Sequence, residues 1–221
     1  MGSITRGLSN NITTGGVILP AGITNSSVSA VTSFANASGG TLVLLSTQTA
    51  SSSSTISFTT GLDSTYDEYI FKFINVRPAT DNVDFQFNYS TDSGSNYNVT
   101  KTSSVIYSYH YENEAEGLHG VGYQDSDDLA QSTAFQNLLF RLGNDADQSL
   151  SGTLTLFNPS STTFVKHWIS DCNTILYYNV SNTWKTVGYG NTTSAVNAIQ
   201  FKMSSGNIAD GIFKLYGIKK S

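Results

Sequence analysis

One cysteine in 221 residues, Cys172, leaves no partner for an internal disulfide. Set between Ile169 and Ile175, it reads as a small buried apolar residue rather than a reactive thiol. Charged side chains make up 12% of the chain, about half the usual ~25%. The eleven Lys and Arg are scattered and the net charge is −5, which argues against a nucleic-acid partner, since phosphates call for clustered cations. No apolar run is long enough to cross a bilayer, and no apolar core of signal-peptide length follows the N-terminus. Arg6 stands where a myristoylation motif requires Ser or Thr, so neither insertion in a membrane nor a lipid anchor is expected. The GxSxG elbow, the HExxH helix, the P-loop and the Rossmann glycine set are all missing. These gaps remove the commonest enzyme classes.

What is present is aromatic and β-prone: twelve Tyr, twelve Phe and two Trp, amid abundant Ser, Thr, Asn and Gly. The polarity missing from charge is supplied by these uncharged hydrogen-bonding residues, a surface suited to extracellular or virion β proteins. Val83, Phe85, Phe87 and Tyr89 alternate with Asp84, Gln86 and Asn88, the period of a strand with one dry face. Residues 69–76 (YIFKFINV) are apolar on both parities apart from Lys72 and Asn75, which predicts a strand buried between two layers. Further strands are expected at residues 41–47, 55–60, 105–111, 150–158, 163–172, 174–180, 184–190, 196–205 and 212–218. A Ser-rich turn at 50–54 separates the first two. AFQNLLFRL (134–142) fits a strand or a short helix. About a dozen short strands with few helix signals predict an all-β fold, an antiparallel β-sandwich of jelly-roll-like kind, over residues 41–221.

Residues 1–40 differ in kind, being Gly-, Ser-, Thr- and Asn-rich with one strong apolar cluster, Val17, Ile18, Leu19 and Pro20. Such a segment cannot bury much surface alone. It is expected to be an extended N-terminal arm whose VILP cluster anchors to a partner protein.

Three stretches offer chemistry. Glu112, Glu114, Glu116, Asp125, Asp127 and Asp128 lie between Lys101 and Arg141 with no basic residue intervening. Asp125, Asp127 and Asp128 could bind Ca²⁺, the one cofactor with a candidate site, and paired carboxylates could hydrolyse glycosides. A plain solvated acidic loop fits the same spacing. Ser90–Tyr97 (STDSGSNY) resembles the Asp-box hairpin S-x-D-x-G-x-T-W, departing from it at Asn96 and Tyr97, and points to a turn and no activity. His110, His119 and His167 read as packing or hydrogen-bonding residues.

The aromatic stripes are the strongest binding feature. Tyr107, Tyr109 and Tyr111 alternate with Ser108 and His110, so three phenols share one strand face. Trp168, Trp184, Tyr177, Tyr178 and Tyr189 add further rings. Such residues form either a platform for sugars or the lining of an interior or subunit interface.

Taken together, TISFTTGLDSTYDEYIFKFINVRPATD, STDSGSNYNVT, DDLAQSTAFQNLLFRLGND, LFNPSSTTFVKHW, GYGNTTSAVNAIQFKMSSGNI and GIFKLYGIK resemble a family of virion proteins from marine tailed phages, the cyanophages and their relatives. The likeness spans most of residues 41–221, and SVSAVTSF and TLVLLSTQTASSSSTISF extend it toward the arm. It implies a non-enzymatic particle component with an exposed β-rich module, often trimeric, and supplies no catalytic residues to carry over. The resulting expectation is a homotrimer on the virion surface, held to a tail or capsid protein through residues 1–40. It would serve as a tail fibre or adsorption component contacting a host glycan, or alternatively as a capsid fibre or head decoration protein. A free-standing carbohydrate-binding module is the further alternative.

Overall fold

The computed structural model describes residues 41–113 and 119–219, together with the backbone of two short strands nearer the N-terminus. Those two, β1 (Ile12–Thr13) and β2 (Gly16–Val17), pair antiparallel. Ile18, Leu19 and Pro20 of the expected anchor, and the side chain of Val17, lie outside the described residues.

The rest is an antiparallel β-sandwich, numbered along the chain. One sheet has eight strands in the order β3 (Leu42–Ser53), β14 (Ile208–Ile218), β5 (Glu68–Pro78), β10 (Leu150–Phe157), β11 (Lys166–Ile175), β12 (Val180–Gly190), β7 (Lys101–Tyr111) and β8 (His119–Tyr123). The other has four: β4 (Ile56–Phe58), β13 (Ala198–Met203), β6 (Val83–Ser90) and β9 (Gln136–Leu142). From β3 to β7 the chain changes sheet at every connection, in jelly-roll fashion, whereas β10, β11 and β12 form a meander. Among the described residues there is no α-helix, only a 3-10 turn at Asp125–Asp127.

Alternation builds the core. Val83, Phe85, Phe87 and Tyr89 of β6 all face inward and are buried, as their period requires. Phe201 of β13 sits at the centre, its ring 5.0 Å from Phe73, 5.5 Å from Phe71 and 5.9 Å from both Phe85 and Phe213. Aromatic pairs such as the edge-to-face contact with Phe73 and the stacked one with Phe85 add about 0.5–1.5 kcal/mol each beyond the area they bury.

Several elements depart from the sequence reading. In β5 only one face enters the core: Tyr69, Phe71 and Phe73 are buried, then Val76 and Pro78. Asn75, at φ 49°, inserts a bulge that switches the buried parity from odd to even. The bulge accounts for Val76, whereas Ile70 and Ile74 are half-buried on the outer face, so the strand is apolar on both sides without being buried on both. Strand β3 runs through the expected turn at 50–54, because Ser51 and Ser53 pair with Asp210 and Ile208 of β14. The supposed strand 174–180 is a hairpin: β11 ends at Ile175, residues 176–179 turn with Asn179 at φ 60°, and β12 begins at Val180. AFQNLLFRL forms strand β9. His119–Tyr123, within the acidic region, is the strand that periodicity missed.

Candidate functional site

The two sheets are unequal, and the site arises where the smaller one stops. The odd residues of β7 face the sandwich interior. Lys101, Ser103 and Val105 are buried, whereas Tyr107, Tyr109 and Tyr111 on the same face are half-buried. The first three are covered by the chain leading into β9: Lys101 bridges Ser132, Ser103 N–H donates to Leu129 O, and Ser103 Oγ donates to Gln136 Oε1 at 2.5 Å. Strand β9 then passes over β11 and β12, leaving the three tyrosines without an opposing strand.

Their neighbours complete a recess of about 350 Å³. Register places Trp184 opposite Tyr107, Asn182 opposite Tyr109 and Val180 opposite Tyr111. Phe140 of β9 lies on Trp184 with ring centroids 5.3 Å apart and planes 18° from parallel. Trp184 continues to Tyr107 (5.7 Å), Tyr107 to Tyr109 (6.1 Å), Tyr109 to Tyr111 (6.1 Å), and Tyr111 to Tyr178 on the β11–β12 turn (6.0 Å). On the other side Gly120 and Gly122 of β8 pair with Tyr109 and Tyr107. The bare glycines let the phenol rings lie across the edge strand.

The mouth carries charge of one sign. Arg141, beside Phe140, holds its guanidinium 4.5 Å from that ring. It sits at φ 57°, a kink held by its N–H donating to Asp84 Oδ1 at 3.0 Å and by Tyr177 N–H donating to its carbonyl at 3.3 Å. The same tie, with the Leu142–Leu176 bridge, brings Tyr178 to the recess. Burial pushes the Tyr178 phenol above its ordinary pKa, and the nearby Tyr111 adds to the rise while Arg141 opposes it. Among the described residues no carboxylate lines the recess, though Glu112 lines the hollow beside it that shares Tyr111 and Tyr178.

Two polar atoms there are unpartnered. Asn182 Oδ1 and Trp184 Nε1 are both buried and, among the described residues, neither has a hydrogen-bond partner. Each such group costs about 1–3 kcal/mol if left unmatched. Both atoms are closed to solvent, so they lie behind the recess wall and not on its surface.

The structure therefore brings together Tyr107, Tyr109, Tyr111 and Trp184, with Tyr178. Trp168 does not join them: it is 1% exposed, packed 4.9 Å from Phe87 beneath the small sheet, opposite Gly188. Tyr189 and His167 lie together on the outer face of the large sheet, as do His110 and His119, whose rings are 5.7 Å apart. All three histidines are exposed and each meets another ring, outside the core.

Asp125, Asp127 and Asp128 do not form a cation site. Asp127 accepts from Asn137 Nδ2, Asp128 accepts from the Tyr123 hydroxyl, and among the described residues no three acidic, His or Cys side chains converge. A neutral donor takes one oxygen each of Asp127 and Asp128, while Asp128 Oδ1 is buried without a partner among the described residues. Glu114 and Glu116 lie outside the described residues. The Ser90–Tyr97 turn is built as an Asp box: Asp92 Oδ1 accepts from Ser90 Oγ (2.6 Å) and Asn96 N–H (2.9 Å), and Gly94 takes φ 89°. These bonds hold its carboxyl down to about 2. It is not a hairpin, since β6 and β7 belong to different sheets.

No family model, curated protein or solved structure matches this chain.

Proposed function

We propose that this chain is a non-enzymatic structural protein of a tailed-phage virion, a tail fibre or adsorption component whose sandwich faces outward and contacts a host surface glycan. Residues 1–40 hold it to a neighbouring tail or capsid protein. The observation that carries this reading is the aromatic recess, which offers stacking surfaces and hydrogen-bonding tips to a sugar. The weakly charged, Ser/Thr/Asn-rich composition and the sequence likeness to marine phage virion proteins support it further. A trimer is favoured by an apolar strip on the outer face of the large sheet, where Ile106, Val121, Tyr123, Val187 and Ile169 are exposed, Val121 by 83%.

The test is immunogold labelling of intact particles, with antibody raised against the full chain. Label on the tail is the expected result. Label spread over the head would replace adsorption by decoration, and particles that bind no antibody would remove the virion reading.

A further inference from the structure

The recess has features that narrow what it takes. We infer that it binds one saccharide unit bearing a carboxylate, such as a uronic acid within an acidic surface polysaccharide. The inference rests on the adsorption reading above and names the class of glycan.

The volume, about 350 Å³, is near the lower end for ligand sites and suits one ring rather than an extended chain. The C–H faces of a sugar ring match the Tyr107 and Tyr109 rings, while its rim needs donors and acceptors. The phenol tips of Tyr107, Tyr109, Tyr111 and Tyr178 supply both, since each hydroxyl donates and accepts.

The charge preference comes from Arg141. Among the described residues it is the one ionic side chain lining the recess, and its guanidinium forms no ion pair with any of them. Phe140 beneath it and the turn held by Asp84 fix where the fork points. A planar guanidinium so placed matches a carboxylate with two parallel hydrogen bonds.

Calorimetric titration of the full chain with methyl glucuronide and with methyl glucoside tests the inference. The acidic sugar is expected to bind about tenfold more tightly or better, in line with a charge-assisted hydrogen bond. Arg141→Gln should bring the two affinities together, Arg141→Lys should restore part of the preference, and Tyr109→Ala should weaken both sugars. Circular dichroism checks that each variant is folded. Equal affinities in the unaltered chain, or a preference that survives Arg141→Gln, would overturn the inference. So would tighter binding of a nucleoside monophosphate, which offers a flat ring and an anion of a different kind. Failure here with gold label on particles leaves the virion reading standing; sugar binding without particle label separates the two the other way.

Discussion

Tyr107 lies across Gly122, its partner on the edge strand: a Cβ at that glycine would stand 2.7 Å from Tyr107 Cζ. Trp168 and Gly188 repeat the arrangement in the core, where a Cβ would meet Trp168 Cζ2 at 2.9 Å and the Thr102 carbonyl at 2.5 Å. In both cases a bare glycine on one strand makes room for a ring on the next. The difference lies in what can yield.

At Gly122 the obstacle is the tip of a half-exposed phenol, which can swing away. Gly122→Ala should therefore cost under about 1 kcal/mol yet displace the Tyr107 ring and weaken ligand binding. At Gly188 the obstacle includes backbone, so Gly188→Ala should cost about 1–3 kcal/mol. Guanidinium denaturation of both variants checks the ordering, and equal costs would contradict it.

Lys101 is buried with no carboxylate beside it, and its amine donates to Asn88 Oδ1 at 2.6 Å and Val99 O at 2.9 Å. Burial lowers its pKa to about 7. The unfolded chain keeps that proton up to its ordinary value of 10.5, so between these limits unfolding takes up a proton. Stability should rise as pH increases from 7, by on the order of a few kcal/mol over the full window. Cys172, buried and pushed up to about 12, opposes this trend above about pH 9, where an unfolded thiol ionises. Denaturation midpoints between pH 7 and 9 should therefore climb in the unaltered chain and climb less in Lys101→Met, where Lys166, also lowered by burial, remains.

Asp92 titrates in the opposite sense. Its folded pKa of about 2 lies below the unfolded value near 3.8, so its contribution is present above pH 4. That contribution is lost as pH falls through 2. Melting temperatures of the unaltered chain and Asp92→Asn should differ at pH 6 and converge near pH 2. A constant difference would show that the carboxyl charge is not what holds the turn.

Val121 projects from edge strand β8, on the face opposite the recess. In the proposed trimer, Val121→Lys places a charge in the buried contact. Light scattering should register a shift from about three chains to one, with sugar affinity unchanged. A monomeric unaltered chain would contradict the trimer.

The sequence made some of this plain. Alternation located β6, β7 and β13 because each keeps one parity inward, and the same period put three tyrosines and Trp184 on candidate faces. It could not distinguish Trp168 from Trp184, since both point inward and both are 1% exposed; they differ in their neighbours, Phe87 for Trp168 and the Tyr107 ladder for Trp184. Phe140, Arg141 and Asn182 reach the recess through strand register and a kink at positive φ, neither of which has a period. Strand β8 was hidden by its virtue: Gly120 and Gly122, which weaken a strand signal, are the residues that accommodate the rings.

The most direct measurement is the indole N–H spectrum of the ¹⁵N-labelled full chain during titration with methyl glucuronide. Two tryptophans supply a probe and a control: Trp184 in the recess and Trp168 in the core, assigned by Trp184→Phe. The account predicts that the Trp184 resonance moves in a saturable way while that of Trp168 stays in place. A still Trp184 resonance, or movement of Trp168 alone, would contradict it.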